Sequence, residues 1–222
     1  MLWVGQFGIV NGEAREQTPW VGVYPDPGHA DETSDIYLIV EPALPGSEEF
    51  CEELKEVVGS VFHKEKVSLT GGMLRALRSA HEQLREWNQR SLKEHRIAAG
   101  VSCAAISDRT VYLGQVAPCW AAYYRDGRLA IVKPTLLEAA EPLGLYDEFL
   151  PEFSRVELKG DGRLLLLSPA LAESLAADDL TEALALSAEE TLPALYRKGR
   201  SLPNCGAILV AAVDAGDTGQ AA

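Results

Sequence analysis

The chain has 222 residues, of which 47% are hydrophobic and 24% charged, and its formal net charge is -13 at pH 7. This length and apolar content suffice for one substantial core, and no segment approaches the roughly 20 apolar residues that span a bilayer. The acidic charge argues against nucleic-acid binding, because phosphate backbones attract clustered lysine and arginine. The N-terminal segment lacks the basic start and cleavage site of a signal peptide, so we expect a cytoplasmic protein with neither a membrane nor a nucleic-acid partner.

The first part of the chain predicts strands followed by two helices. LWVGQFGIV and DIYLIVE have the β-branched and aromatic content of strands, and the acidic run PDPGHADETSD before the second of them predicts an exposed loop. Apolar residues at helical spacing predict one helix over about 47–62 and a second beginning near Thr70. The second helix carries an apolar stripe that we expect to pack on the first, formed by Leu74, Leu77, Ala80, Leu84, Trp87 and Leu92.

The second part of the chain predicts mainly strands. Four apolar runs with short turns between 97 and 133 predict an antiparallel meander, and residues 135–152 show weaker order. FSRVELKGDGRLLLLS predicts two strands joined by the turn Gly160-Asp161-Gly162, before two helical segments and the closing strand CGAILVAAVD. This order predicts a layered α+β domain rather than alternating βαβ units.

The domain is expected to span residues 1–213, and the small polar residues of 214–222 predict a tail or linker. The four cysteines are far apart and form no CxxC pair, which predicts no zinc site. Three of them, Cys103, Cys119 and Cys205, lie in apolar sequence, so we expect buried free thiols in a reducing compartment.

The order of the elements and several local sequences resemble the metal-dependent protein phosphatases of the phosphatase 2C type over about residues 3–213. The most specific stretch is VYLGQVAPCWAAYYRDGRLAIV. Within it, Ala117-Pro118-Cys119-Trp120 stands where that family has Gly-Asp-Ser-Arg, while Tyr124-Arg125-Asp126-Gly127 keeps the hairpin. The resemblance implies a four-layer αββα sandwich, in which helix pairs flank two antiparallel sheets.

Two later motifs of that family are matched in position but not in their acids. Ser168 is kept where the family has Ser-Asp-Gly, but Pro169 replaces the aspartate. Where the family has Asp-Asn-x-Thr, Asn204 is kept, while Pro203 stands for the aspartate and Gly206 for the threonine. Both prolines follow apolar runs, so each also has a simple structural interpretation as a strand terminator.

Two early motifs are matched in the same way. The strand that ends in Asp-Gly in the family ends here in Glu41-Pro42. The Arg-x-x-Asn-Glu-Asp segment aligns with AREQTPW, giving Arg15 for the phosphate-binding arginine and Trp20 for the first metal-binding aspartate. The structural alternatives are a solvated Arg15, a Glu41 that is exposed or caps a turn, and a Trp20 that belongs to the core or covers the cleft.

The resemblance implies chemistry that these residues do not support. Hydrolysis in that family is attributed to two divalent cations, and Mg²⁺ and Mn²⁺ require oxygen ligands, which proline and tryptophan side chains do not offer. With Trp20, Pro169 and Pro203 at three of the four expected acidic positions, Glu41 is the one acidic candidate that remains. We therefore expect a degenerate site without catalytic residues or metal, in which Arg15 is a relic of phosphate binding.

Three functions follow as alternatives. The first is a non-catalytic phosphatase-like domain, a pseudophosphatase, that regulates or binds a protein partner such as a phosphoprotein or a kinase in bacterial phosphorylation signalling. The second is an active Mn- or Mg-dependent serine/threonine phosphoprotein phosphatase with an atypical metal site. Its ligands would come from other acids, namely Asp26, Asp31, Glu32, Asp35 and Glu41. The third is a structural or assembly domain.

Overall fold

The computed structural model describes residues 2–25, 34–64, 68–135 and 141–213. The strands are β1 (Leu2–Val10), β2 (Glu13–Arg15), β3 (Val21–Tyr24), β4 (Ile36–Pro42), β5 (Ala99–Ser107), β6 (Thr110–Val116), β7 (Trp120–Arg125), β8 (Arg128–Val132), β9 (Glu152–Glu157), β10 (Arg163–Leu167) and β11 (Cys205–Ala212). The helices are α1 (Cys51–Lys64), α2 (Leu69–Arg90), α3 (Pro169–Ser174), α4 (Ala177–Ala185) and α5 (Ala188–Gly199). None of these helices is long and apolar enough to cross a membrane.

The strands form two antiparallel sheets. The first sheet has the order β2-β1-β11-β10-β7-β8 and the second has the order β3-β4-β5-β6-β9. Side chains from both sheets share one buried cluster, so the sheets pack face to face. Helices α3, α4 and α5 cover the outer face of the first sheet, and α1 and α2 cover the second. The predicted four-layer αββα sandwich is confirmed.

The central strands are buried on both faces, which explains their continuous apolar sequence. In β4, Tyr37 and Ile39 face the other sheet, whereas Ile36, Leu38 and Val40 face the helices. Strands β10 and β11 alternate in the same way between the two layers. The alternation places the residue after Val40, which is Glu41, on the face between the sheets.

The predicted meander over 97–133 is wrong. Strand β5 pairs with β6 and β7 pairs with β8, but the two hairpins lie in different sheets. The two strands predicted on either side of Gly160 are β9 and β10, but they do not pair with each other, because β9 pairs with β6 and β10 pairs with β7 and β11. A short connection reveals a reversal of the chain, but it does not reveal which sheet the next strand joins.

The helices agree with the predicted spans within a few residues. A short 3-10 helix, Glu48–Phe50, precedes α1, and α2 begins one residue before Thr70. On the predicted apolar stripe, Leu77, Ala80 and Leu84 are buried. Placing Trp87 and Leu92 there was wrong, since they are 50% and 65% exposed. Leu92 lies beyond the end of α2. The four cysteines are buried and free, as expected for the three in apolar sequence.

The chain crosses from the second sheet to the first between β6 and β7, and Gly100 makes this crossing possible. A Cβ atom on Gly100 would lie 2.0 Å from the carbonyl oxygen of Pro118 and 2.4 Å from its nitrogen. These are backbone atoms that cannot rotate away as a side chain could. Glycine at this position therefore lets β5 run directly beneath the crossing segment.

We predict that Gly100→Ala destabilises the protein by about 1–3 kcal/mol, because the added methyl group must displace the Pro118 backbone. The matched control is Ser102→Ala on the same strand. Its buried hydroxyl has no hydrogen-bond partner among the described residues, so its removal should be neutral or slightly stabilising. Urea unfolding, followed by circular dichroism, measures the stability of both variants. Equal unfolding midpoints for Gly100→Ala and the parent would contradict the prediction.

Candidate functional site

The positions that resemble phosphatase motifs converge at one end of the sandwich. In the first sheet, Arg15 of β2 pairs with Gly8 of β1, which in turn pairs with Gly206 of β11. Ser168, directly after β10, completes this row. Its amide donates to the carbonyl oxygen of Gly206 at 2.9 Å, and its Oγ accepts from the Gly206 amide at 3.2 Å. One register row of the sheet thus carries parts of three motifs.

The second sheet contributes the opposite row at the same end. Glu41 of β4 pairs with Gly100 of β5, and Gly100 lies against the backbone of Ala117 and Pro118. By the alternation of its strand, Gly100 faces the gap between the sheets, as Glu41 does. The carboxyl group of Glu41 therefore projects toward the row that carries Gly206.

Trp20 fills the space between these two rows. Its carbonyl oxygen accepts from the Val40 amide at 2.9 Å, which ties it to β4. Its indole Nε1 donates to the carbonyl oxygen of Cys205 at 3.3 Å, which ties it to β11. The ring lies so close to Gly206 that a Cβ atom there would be 3.2 Å from Cδ1. The indole is 8% exposed and closes this end of the cleft.

A buried lysine fixes the segment that precedes Trp20. The Nζ atom of Lys55 in α1 donates to the carbonyl oxygen of Thr18 at 2.9 Å, and Thr18 Oγ1 accepts from the Val21 amide at 2.9 Å. Lys55 is 8% exposed. This contact was not predicted from the sequence. The signal for it was a lysine on the apolar side of a helix, directly after Leu54, because a lysine that is buried there needs a hydrogen-bond partner.

Glu41 is the titratable group at the centre of this arrangement. Its Oε1 atom is buried and has no hydrogen-bond partner among the described residues. Burial raises the pKa of Glu41 from 4.5 to about 8, because a desolvated carboxylate is disfavoured against the neutral acid. At neutral pH this carboxyl group therefore carries a proton.

Three thiols near Glu41 are neutral as well. Burial, and secondarily the carboxylate of Glu41, raise the pKa of Cys205 to about 11. Burial raises the pKa of Cys51 to about 12, with smaller contributions from Glu41 and Glu48. Burial likewise raises the pKa of Cys119. These thiols therefore add no negative charge to the surroundings of Glu41.

The retained asparagine has a structural partner in the first sheet. Asn204 Oδ1 accepts from the Asn11 amide at 2.9 Å, and the Gly12 amide donates to the carbonyl oxygen of Pro203 at 2.8 Å. Asn11 and Gly12 form the left-handed turn between β1 and β2, with φ of 54° and 80°. The segment Pro203-Asn204 therefore holds the turn that leads into the strand carrying Arg15.

The other motif positions lie at ends of elements. Arg15 is exposed and forms an ion pair with the neighbouring Glu13, so its role as a phosphate relic stays a prediction. Pro169 is the first residue of α3, where its fixed φ suits the helix. Pro42 ends β4, and Pro118 occupies the crossing between the sheets.

Two hard divalent ions do not fit the donors at this end. Among the described residues, no group of three or more His, Cys, Asp or Glu side chains is placed to hold a metal. One protonated carboxyl group, an indole and proline rings lack the anionic oxygens that Mg²⁺ and Mn²⁺ require.

Of the acids of the alternative metal site, the structure describes Asp35 and Glu41 and keeps these two apart. Asp26, Asp31 and Glu32 lie outside the described residues. Asp35 precedes β4 and accepts a hydrogen bond from the Tyr37 hydroxyl at 3.0 Å, whereas Glu41 lies near the other end of that strand. Six residues of extended chain separate Asp35 from Glu41 by roughly 20 Å, so these two carboxyl groups cannot share an ion.

The chain is similar in structure to bacterial serine/threonine phosphatases. A serine/threonine phosphatase of S. agalactiae has a TM-score of 0.76 and 12% identity, over 96% of this chain and 100% of its own. PppA of Pseudomonas aeruginosa, a key regulatory component of T6SS, has a TM-score of 0.72 and 12% identity, over 95% of this chain and 98% of its own.

The catalytic domain of the serine/threonine phosphatase PstP, solved in complex with two manganese ions, has a TM-score of 0.67 and 16% identity, over 96% of this chain and 100% of its own. No protein-family model matches the sequence, and no curated protein matches it. These similarities show that the chain has the fold of the phosphatase 2C-type serine/threonine phosphatases.

We predict that Glu41→Gln changes how stability depends on pH. The folded state holds the Glu41 proton up to about pH 8, whereas the unfolded chain releases it near 4.5. The stability of the parent should therefore fall as pH rises through this window, and the isosteric, uncharged glutamine should not show that fall. We expect the variant to gain about 2–4 kcal/mol relative to the parent between pH 4 and pH 9.

Chemical unfolding at pH 4, 7 and 9 measures this difference. Glu182→Gln, on the exposed side of α4, is the matched control and should show the same pH dependence as the parent. A constant difference between Glu41→Gln and the parent across the pH range would show that Glu41 is ionised in the folded protein.

Proposed function

We propose that this chain is a non-catalytic phosphatase 2C-like domain, which acts as a regulatory or binding module in phosphorylation signalling. The observation that carries the proposal is the position of Trp20 at the end of the sandwich where the motif positions converge, here called the motif end. Trp20 accepts from β4 through its carbonyl oxygen and donates to β11 through its indole, where the resemblance implies a metal-binding aspartate. Its consequence is that the cleft offers an aromatic surface and a protonated acid instead of anionic ligands.

The charge state of the acid at the motif positions disfavours a two-metal centre. A two-metal centre needs carboxylates that are ionised at neutral pH, and it stabilises them in turn by its own positive charge. Here the one acidic residue among the motif positions, Glu41, has a raised pKa of about 8 because it is buried without a compensating partner. A cation that binds Glu41 would first have to displace its proton, and among the described residues no group of three or more His, Cys, Asp or Glu side chains is placed to hold that cation.

A protein partner accounts best for retention of the fold. Fold alone does not define function, and PppA, a structural neighbour, is a regulatory component of a secretion system in its own organism. The proposal includes a partner such as a phosphoprotein or kinase in a bacterial-type pathway, and a cytoplasmic location. A net charge of -13 favours partners with basic surfaces.

The second candidate function is an active metal-dependent phosphatase with an atypical site. The observation in its favour is the buried, unpartnered Oε1 of Glu41, since a bound cation would both ionise this carboxyl group and supply the missing partner. That enzyme would need further ligands from the acids outside the described residues.

Isothermal titration of the protein with Mn²⁺ and with Mg²⁺, beside a p-nitrophenyl phosphate assay, separates the two candidates. PstP, which binds two manganese ions in its own structure, is the positive control. We expect no stoichiometric heat of binding and no metal-dependent turnover. Saturable binding of two ions with turnover that Glu41→Gln abolishes would overturn the proposal and establish the enzyme.

A further inference from the structure

A groove of about 500 Å³ lies between the start of α1 and the last turns of α2, within the size range of ligand sites. Its apolar lining is formed by Phe50, Leu54, Leu84, Trp87 and Ile97. The rings of Phe50 and Trp87 meet edge to face with their centroids 4.8 Å apart. Trp87 is nevertheless 50% exposed, so half of a large aromatic side chain is open to a partner.

Glutamates lie on the α1 side of this aromatic surface. Glu53 and Glu86 line the groove. The 3-10 helix at the start of the α1 wall carries two more exposed glutamates, Glu48 and Glu49. The basic residue in the lining is Arg90, which forms an ion pair with Glu86 at 2.6 Å. The wall formed by α1 therefore keeps its negative charge beside the exposed indole.

Aromatic rings and carboxylates together recognise cations that carry apolar surface. A guanidinium or ammonium group over the face of an exposed tryptophan is attracted by the ring, and carboxylates nearby strengthen that attraction and steer the encounter. Tryptophan is also among the side chains that most often dominate the binding energy of an interface. An acidic partner would meet the like charge of the α1 glutamates, which argues against it.

We propose that this groove binds a basic, apolar peptide segment of a protein partner, with an arginine or lysine side chain over the ring of Trp87 and an apolar side chain against Phe50 and Leu84. The inference names a binding surface for the module and rests on the proposed function for its biological role. Peptide binding itself needs neither a metal nor turnover, so the two proposals can fail separately.

A short segment that is held by two hydrogen bonds connects the groove to the motif end. After Pro42 ends β4, the Ala43 amide donates to the carbonyl oxygen of Ala98 at 2.8 Å, and Ser47 Oγ accepts from the Ala98 amide at 3.0 Å. The wall of the groove begins directly after Ser47. A peptide held there lies on the helical layer that covers the strand carrying Glu41.

Fluorescence anisotropy with a labelled short peptide of alternating leucine and arginine tests the proposal on the full chain. Two comparison peptides replace every arginine by glutamate or every leucine by serine. We expect the leucine-arginine peptide to bind at least about tenfold more tightly than either, because each comparison removes one of the two recognised chemistries. Equal affinity for the serine peptide would mean attraction by charge alone and would overturn the proposal.

Variants locate the binding. Trp87→Ala should weaken binding about tenfold, and Glu53→Gln should weaken it less and reduce its salt dependence. Glu182→Gln, on the helical layer of the other sheet, is the control and should bind as the parent does. Unchanged affinity of Trp87→Ala, with its circular dichroism intact, would overturn the proposal. A dimer in analytical ultracentrifugation that Trp87→Ala converts to a monomer would also overturn it, since the groove would then hold a second copy of the chain.

Discussion

The contact of Trp20 with both sheets is the constraint on which the rest of the cleft depends. Its carbonyl oxygen is held by Val40 and its indole nitrogen by the carbonyl oxygen of Cys205. A Cβ atom on Gly206 would meet Cγ2 of Val21 at 2.5 Å and the Trp20 ring at 3.2 Å, so Val21 and Trp20 together leave no room for a side chain there. Glu41 lies at the same end of the sandwich, and its burial favours the protonated acid. The packing between the two sheets thus accounts for the shape of this end, and the burial of Glu41 accounts for its neutrality.

Local pattern predicted most of the strands and helices, because strands buried on both faces and amphipathic helices leave clear periodicities. The sheet to which each of the strands β5, β6, β7 and β8 belongs was not predictable in this way. The chain changes sheets at Pro118, and this crossing depends on a long-range contact with Gly100, which has no Cβ atom. Exposure of Trp87 and Leu92 escaped prediction for a different reason: hydrophobicity indicates which face of a helix packs, but not how far along the helix the packing extends.

The resemblance matched Arg15, Glu41, Ser168 and Gly206 to motifs of that family, and two register rows of the sheets bring these positions to one end of the sandwich. The raised pKa of Glu41, the bond from Trp20 to Cys205 and the anchor between Lys55 and Thr18 depend on burial across three layers. The raised pKa of Glu41 and the acidic groove are the two features on which the proposed binding module rests.

The most direct measurement of the central claim is a site-resolved carbon NMR titration of the Glu41 carboxyl group, with and without Mg²⁺, assigned by comparison with Glu41→Gln. The account predicts a midpoint near pH 8 that Mg²⁺ does not change, since the carboxyl group is buried, protonated and not a ligand. A midpoint near the ordinary value of 4.5, or one that Mg²⁺ lowers, would contradict it and identify Glu41 as an ionised metal ligand.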